Sequence, residues 1–176
     1  PHLNYYSATG GVLEFGSDYL SPILYWAYHR RELYVKRLNR EKIILQLKIR
    51  IEQNIVRFIN SNIDLSKVED DSYAEVLLKK EGFDVFNLGL LTRPEYCTNE
   101  TLERDILNGC YDYILNLRER DLTKKSKEER IMQIKELQLQ LNEVEGQLNE
   151  RPIIGASVWK KEIDNVIKLI NLESVL

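Results

Sequence analysis

Paired histidines, a glycine-rich phosphate loop and a long apolar run are all missing from this chain, and each gap closes off a class of function. His2 and His29 are the only histidines, and neither has a neighbour at zinc-binding spacing, so both are read as ordinary surface or packing residues. The Gly10-Gly11 pair lacks the downstream lysine and helix start that a nucleotide cradle needs. Two cysteines, Cys97 and Cys110, fit no zinc spacing and make a poor disulfide framework, which points to a reduced, intracellular protein. No apolar stretch approaches the roughly 20 residues of a membrane span and no signal peptide is visible, so no membrane partner is expected. Neither sign of charge dominates: 25 basic residues against 28 acidic ones leave a net charge of -3. Without a global excess of cations, any DNA contact has to come from a local patch. The acidic run Glu69-Asp70-Asp71 is read as a solvated turn, with a metal site as the lesser alternative. Methionine occurs once, at Met132, and the chain opens at Pro1, which reads as an excised part of a longer polypeptide or a processed terminus.

What the sequence does have is helical rhythm. Ile134, Leu137, Leu141, Val144 and Leu148 step in alternating threes and fours, the spacing of an apolar seam on a coiled-coil helix. Ile44, Leu47, Ile51 and Phe58 keep the same rhythm near the other end, with Asn54 at the remaining seam position. No proline or glycine interrupts residues 23–60, enough for an arm of roughly 55 Å. The expected fold is mainly α: a long antiparallel coiled-coil hairpin carrying a compact helical knob, with a short return helix and a small β-like segment at the start.

Five segments follow from punctuation and patterning. Residues 1–20 are aromatic and glycine-punctuated and read as a strand and linker, with Leu3 to Phe15 resembling a short hairpin: Tyr5 and Tyr6, the Gly10-Gly11 turn signal, then Val12, Leu13 and Phe15. The first arm occupies residues 21–60 and the knob residues 61–122. Within the knob a helix from Ser72 stops at Gly82, and a last apolar helix is predicted over Leu107 to Leu117. The second arm takes residues 123–150; Pro152 breaks it, and an amphipathic return helix with Val158, Trp159, Ile163, Val166, Ile167 and Ile170 fills residues 151–176. The knob holds more large apolar side chains than a small helical cap needs. Two readings stand for Tyr111, Tyr113, Ile114 and Leu117: they face a second copy across a two-fold axis, or they complete the knob's own core.

The basic residues of the first arm also allow two readings. Arg30, Arg31, Lys36 and Arg37 form either a solvated helix face or a phosphate-facing lining whose contacts weaken with salt.

Local strings narrow the choice. Arg30, Glu32, Tyr34, Lys36 and Arg37, then Asn54 with Phe58-Ile59, Tyr113-Ile114-Leu115-Asn116, Leu122-Thr123-Lys124, and Trp159 with Glu162-Ile163, follow one another in an order that resembles the C-gate region of type IIA DNA topoisomerases. The eukaryotic-type branch is the nearer likeness, and it spans nearly the whole chain. Leu33 stands where those relatives favour a second tyrosine, His29 replaces an apolar residue, and the long acidic insert of some cellular relatives is missing between Phe86 and Tyr111. A compact, Ile- and Asn-rich chain of this kind looks more like an enzyme of a large DNA virus, working in the host cytoplasm or alternatively the nucleus.

The resemblance implies a homodimeric, ATP-dependent enzyme that cuts one DNA duplex, passes a second through the break and releases it through a protein gate, for which this knob would be the exit. ATP and Mg2+ are implied for the full-length enzyme and none for this segment. The family's catalytic tyrosine, acidic metal triad and ATP site match no stretch here, so no residue of this chain is expected to be catalytic. A coiled-coil scaffold or adaptor without enzymatic role is the alternative, and it explains the heptads without the collinear strings.

Overall fold

A computed structural model describes residues 5–6, 12–13, 20–92, 99–150 and, further on, 161, 164, 165 and 167–169. The chain forms two compact units, one of residues 1–37 with 148–176 and one of residues 38–147. In the first, strands β1 (Tyr5–Tyr6) and β2 (Val12–Leu13) pair antiparallel, with Tyr5 opposite Leu13 and Tyr6 opposite Val12. The described residues between 161 and 169 are helical, while Pro152, Val158, Trp159, Ile163, Val166 and Ile170 lie outside the described set.

Helix α1 (Leu20–Asn60) is 41 residues long and runs from the first unit into the second. Pro22 lies in its first turn, where no helical N–H bond is lost, and the absence of proline and glycine from residues 23–60 lets it run on to about 60 Å at 1.5 Å per residue. Ser61 closes it: its N–H bonds the Arg57 carbonyl at 3.0 Å and its hydroxyl the Phe58 carbonyl at 2.6 Å.

The second unit continues with α2 (Asp71–Lys80), α3 (Leu88–Thr92), α4 (Asn99–Ile106), α5 (Asp112–Leu115) and α6 (Lys124–Glu150). Asp70 caps α2 by accepting from the Ser72 N–H at 3.0 Å, and Asp71 sits in the first turn beside the positive end of the helix dipole. The acidic run thus starts a helix. At the other end Gly82 takes φ +76°. The Phe83 N–H reaches the Leu78 carbonyl at 3.0 Å and the Gly82 N–H that of Lys79 at 3.1 Å, a Schellman ending that turns Phe83 back onto Leu78.

Of the apolar helix predicted over Leu107 to Leu117, only Asp112–Leu115 is helical. Asn108 and Gly109 make a turn after α4, and Cys110 then forms an antiparallel bridge with Phe86, by N–H to carbonyl bonds of 3.0 and 3.3 Å. A Cβ on Gly109 would lie 2.1 Å from the Phe86 carbonyl carbon, so only glycine lets the two backbones approach this closely.

Two separate apolar layers use α1. The main cluster joins Leu47, Ile51, Ile55 and Phe58 of α1 to Leu78, Phe83, Phe86, Leu102, Ile106, Tyr111, Tyr113 and Ile114 of the knob. Leu38, Leu45 and Ile49 of α1, with Leu137, Leu141 and Val144 of α6, are buried outside that cluster. Two ion pairs show which face meets α6: Lys42 reaches Glu145 at 3.6 Å and Glu52 reaches Arg130 at 2.8 Å. Going up α1 from Lys42 to Glu52 means going down α6 from Glu145 to Arg130, so the helices are antiparallel. Lys42, Leu45, Ile49 and Glu52 share one helix face, which makes Leu45 and Ile49 the α1 side of this seam. The predicted seam of α1 therefore sits elsewhere: Leu47, Ile51 and Phe58 face the knob, and half-buried Ile44 packs against the same cluster. On α6, Leu137, Leu141 and Val144 are buried, and Ile134 and Leu148 half-buried.

Candidate functional site

The best-defined polar constellation is a latch between the first arm and the knob, centred on Asp84. The Schellman turn at Gly82 that sends Phe83 inward also delivers Asp84 to the side of α1. There Arg50 grips its carboxylate with both ends of the guanidinium fork, Nε to Oδ2 at 2.7 Å and Nη2 to Oδ1 at 2.8 Å. One turn further along α1, Asn54 donates to the same Oδ2 at 3.1 Å and to the Arg50 carbonyl at 2.9 Å. Asn54 is only 7% exposed; without these acceptors its buried amide would be costly. Tyr113 donates its hydroxyl to the Asp84 carbonyl at 2.6 Å, and Tyr111 donates to the Phe83 carbonyl at 3.2 Å.

Electrostatics follow the geometry. The Arg50 hydrogen bonds, against the opposing effect of burial, hold the Asp84 carboxyl below the usual carboxylate range. The same bond raises the Arg50 guanidinium. Burial pushes the Tyr113 phenol well above the ordinary tyrosine value, with the Asp84 charge adding to it. Around the polar centre the rings pack edge to face, Phe86 on Tyr113 at 5.1 Å and Phe58 on Phe83 at 6.0 Å, and the Arg57 guanidinium covers the Phe83 ring at 4.1 Å. The constellation holds parts together. Its carboxylate is saturated by a guanidinium and an amide, and among the described residues no three His, Cys, Asp or Glu side chains gather as a metal site would require.

The residues expected at a two-fold contact fall inside this structure. Tyr111 and Tyr113 are 7% exposed, Ile114 is 1% exposed, and Leu117 is half-buried against the same cluster. The first three are members of the knob's own buried cluster, packed with Phe83, Phe86 and Ile106. Among the described residues the exposed large apolar side chains of the knob are others: Tyr73 at 73% and Val76 at 66%, one turn apart on α2, and Leu88 and Leu122. Of the basic group on α1, Arg30, Lys36 and Arg37 are exposed and Arg31 is half-buried, all within the first unit. Sequence reasoning missed Asp84 and reads Arg50 only as one of the basic residues along the first arm, not as the partner of a carboxylate. The one available signal was Asn54, a polar residue in an apolar stripe, which needs a buried partner.

The Asp84 latch thus fixes α1 to the knob, and the Lys42–Glu145 and Glu52–Arg130 pairs tie the same helix to the antiparallel α6. The chain is 46% identical over 172 residues to DNA topoisomerase 2 of a Kenyan pig isolate of African swine fever virus, and 45% identical to the enzymes of a Malawian tick isolate and the Badajoz strain. The chain is homologous to one segment of DNA topoisomerase 2. Each match covers 96% of this chain and 14% of the relative, so the chain spans about a seventh of the viral topoisomerases it resembles. No protein-family model matches it. Among the described residues no helix is long and apolar enough to cross a membrane.

Proposed function

We propose that this chain is the exit gate of a type IIA DNA topoisomerase: two copies meet through their knobs, hold the enzyme's subunits together, and part to release the transported duplex. The observation that carries the reading is the near-complete match of the chain to one segment of viral DNA topoisomerase 2, on a structure whose long hairpin ends in a knob. Self-contact is supported by the exposed Tyr73 and Val76 on α2. Burying such side chains contributes roughly 1.5–3 kcal/mol each, enough for a few per subunit to close a gate that can still reopen.

The parent enzyme would be an isomerase that breaks and rejoins DNA at the expense of ATP, with Mg2+ at its cleavage centre. Neither group is assigned to this segment in our reading: among the described residues Asp70 of the acidic run caps α2, and Asp84 is taken up by Arg50 and Asn54. Its part in the cycle is to bind, hold and release.

The test is a reversible cross-link. In the full-length enzyme Cys97 and Cys110 are replaced by serine and single cysteines are placed at Val76, Asp112 or Asn116, the position that bridges being the one with Cα atoms within about 7 Å across the contact. A bridged enzyme should still cut DNA, trap the passed duplex on a closed circle, and regain turnover on reduction. Undiminished multiple turnover with the knobs fully cross-linked would make the region a static brace.

A further inference from the structure

The first unit contains a feature the gate reading leaves unused. Helix α1 holds nine basic side chains against three acidic ones, in a chain whose net charge is -3. In the second unit several of these cations are occupied: Lys42 by Glu145, Arg50 by Asp84, Arg57 by the Phe83 ring. In the first unit, among the described residues, no ion pair or hydrogen bond holds Arg30 or Arg37. Trp26, Arg30, Leu33 and Arg37 fall at i, i+4, i+7 and i+11, one face of the helix. Tyr34 flanks them. All are exposed, Trp26 at 40%, Leu33 at 48% and Tyr34 at 49%.

We infer that this strip is a binding surface for the phosphate backbone of double-helical DNA. An apolar protein face would bury two unpaired guanidiniums, at a cost that the aromatic contacts could not offset. A polyanion that also offers sugar surface satisfies both kinds of side chain. The guanidiniums take phosphate oxygens, the Trp26 N–H and Tyr34 O–H can donate to the same backbone, and Leu33 lies against deoxyribose. Arg30 and Arg37 stand about 10 Å apart along the axis, within a Debye length at 0.1 M salt, so both act on one stretch of duplex. The contact is blind to sequence, as suits a duplex in transit. Only the identity of that duplex as the transported one rests on the gate reading; the binding does not.

The experiment measures the affinity of the 176-residue chain for a labelled mixed-sequence 30-base-pair duplex between 50 and 200 mM salt. Arg30→Gln with Arg37→Gln should lower the salt slope by about 2, so that the advantage of the unaltered chain shrinks roughly tenfold across that range. Arg30→Lys with Arg37→Lys should keep the slope. Lys79→Gln with Lys80→Gln, at the exposed end of α2, should also leave it unchanged, with far-UV circular dichroism identical throughout. An unchanged slope in the glutamine pair, or an equal loss in the α2 pair, overturns the assignment. Poly-glutamate binding with the affinity and slope of the duplex would point to an acidic protein partner and overturn it too. Binding needs no strand passage, so its failure and the failure of the cross-link test are read separately.

Discussion

Gly109 and Gly146 should respond in opposite directions to the same added methyl group. At Gly109 the new carbon would meet the Phe86 backbone; Gly109→Ala should destabilise the knob by about 1–3 kcal/mol in urea unfolding. Gly146, inside α6, has nothing within 4 Å of the added atom, so Gly146→Ala should stabilise by about 0.5–1 kcal/mol through helix propensity. The Asp84 latch makes a pH prediction with two edges. Asp84 has its folded pKa lowered, so its contribution is present above the ordinary carboxylate value of about 4 and is lost as pH falls through the folded value. Tyr113 has its folded pKa raised, so its contribution is present below the ordinary tyrosine value of about 10 and is lost as pH climbs beyond it. Asp84→Asn should flatten the acid edge and Tyr113→Phe the alkaline edge, the latter costing about 1 kcal/mol at neutral pH. Thermal unfolding against pH reads both; an acid edge that survives in Asp84→Asn would assign it to other carboxylates.

At the level of elements, the two apolar layers of α1 explain what the sequence could and could not tell. The heptads of α6 were legible because that helix buries one narrow stripe, and Leu137, Leu141 and Val144 are its buried positions. In α1 the run Ile43-Ile44-Leu45-Gln46-Leu47 places apolar residues on both sides of the helix, and a single template selects only one of them. It chose the side that faces the knob. The break at Asn108-Gly109 was hidden for a similar reason: the apolar spacing from Ile106 to Leu117 continues through it, and only the close approach of Phe86 forces the turn. The Asp84 latch joins residues 30 and 34 positions apart, beyond any local pattern. A double-mutant cycle tests the reassigned seam. Leu45→Ala and Leu141→Ala should each cost about 2–4 kcal/mol and couple by at least about 0.5 kcal/mol, while Leu47→Ala should be additive with Leu141→Ala. Coupling of Leu47 with Leu141, and none for Leu45, would restore the original seam.

For the whole molecule, the gate reading requires self-association. The chain alone should sediment as a dimer at concentrations on the order of tens of micromolar, and Tyr73→Lys with Val76→Glu should give a monomer with an unchanged helical signal, because both side chains are exposed in the protomer. A monomeric unaltered chain would remove the knob contact and leave the hairpin standing. The hairpin has a further consequence, in the order in which it comes apart. Its Arg130–Glu52 clasp joins residues 78 positions apart, whereas the Tyr113–Asp84 bond spans 29, and closing the longer loop costs about 1 kcal/mol more in chain entropy. Against that, α6 fully buries only three side chains while the knob cluster holds twelve buried residues, four of them from α1. The strap is therefore the first part to lift and the last to settle. Amide hydrogens of α6 should exchange with solvent faster than those of residues 47–58 of α1, so the arm would fray from one side while its other helix stays fixed to the knob.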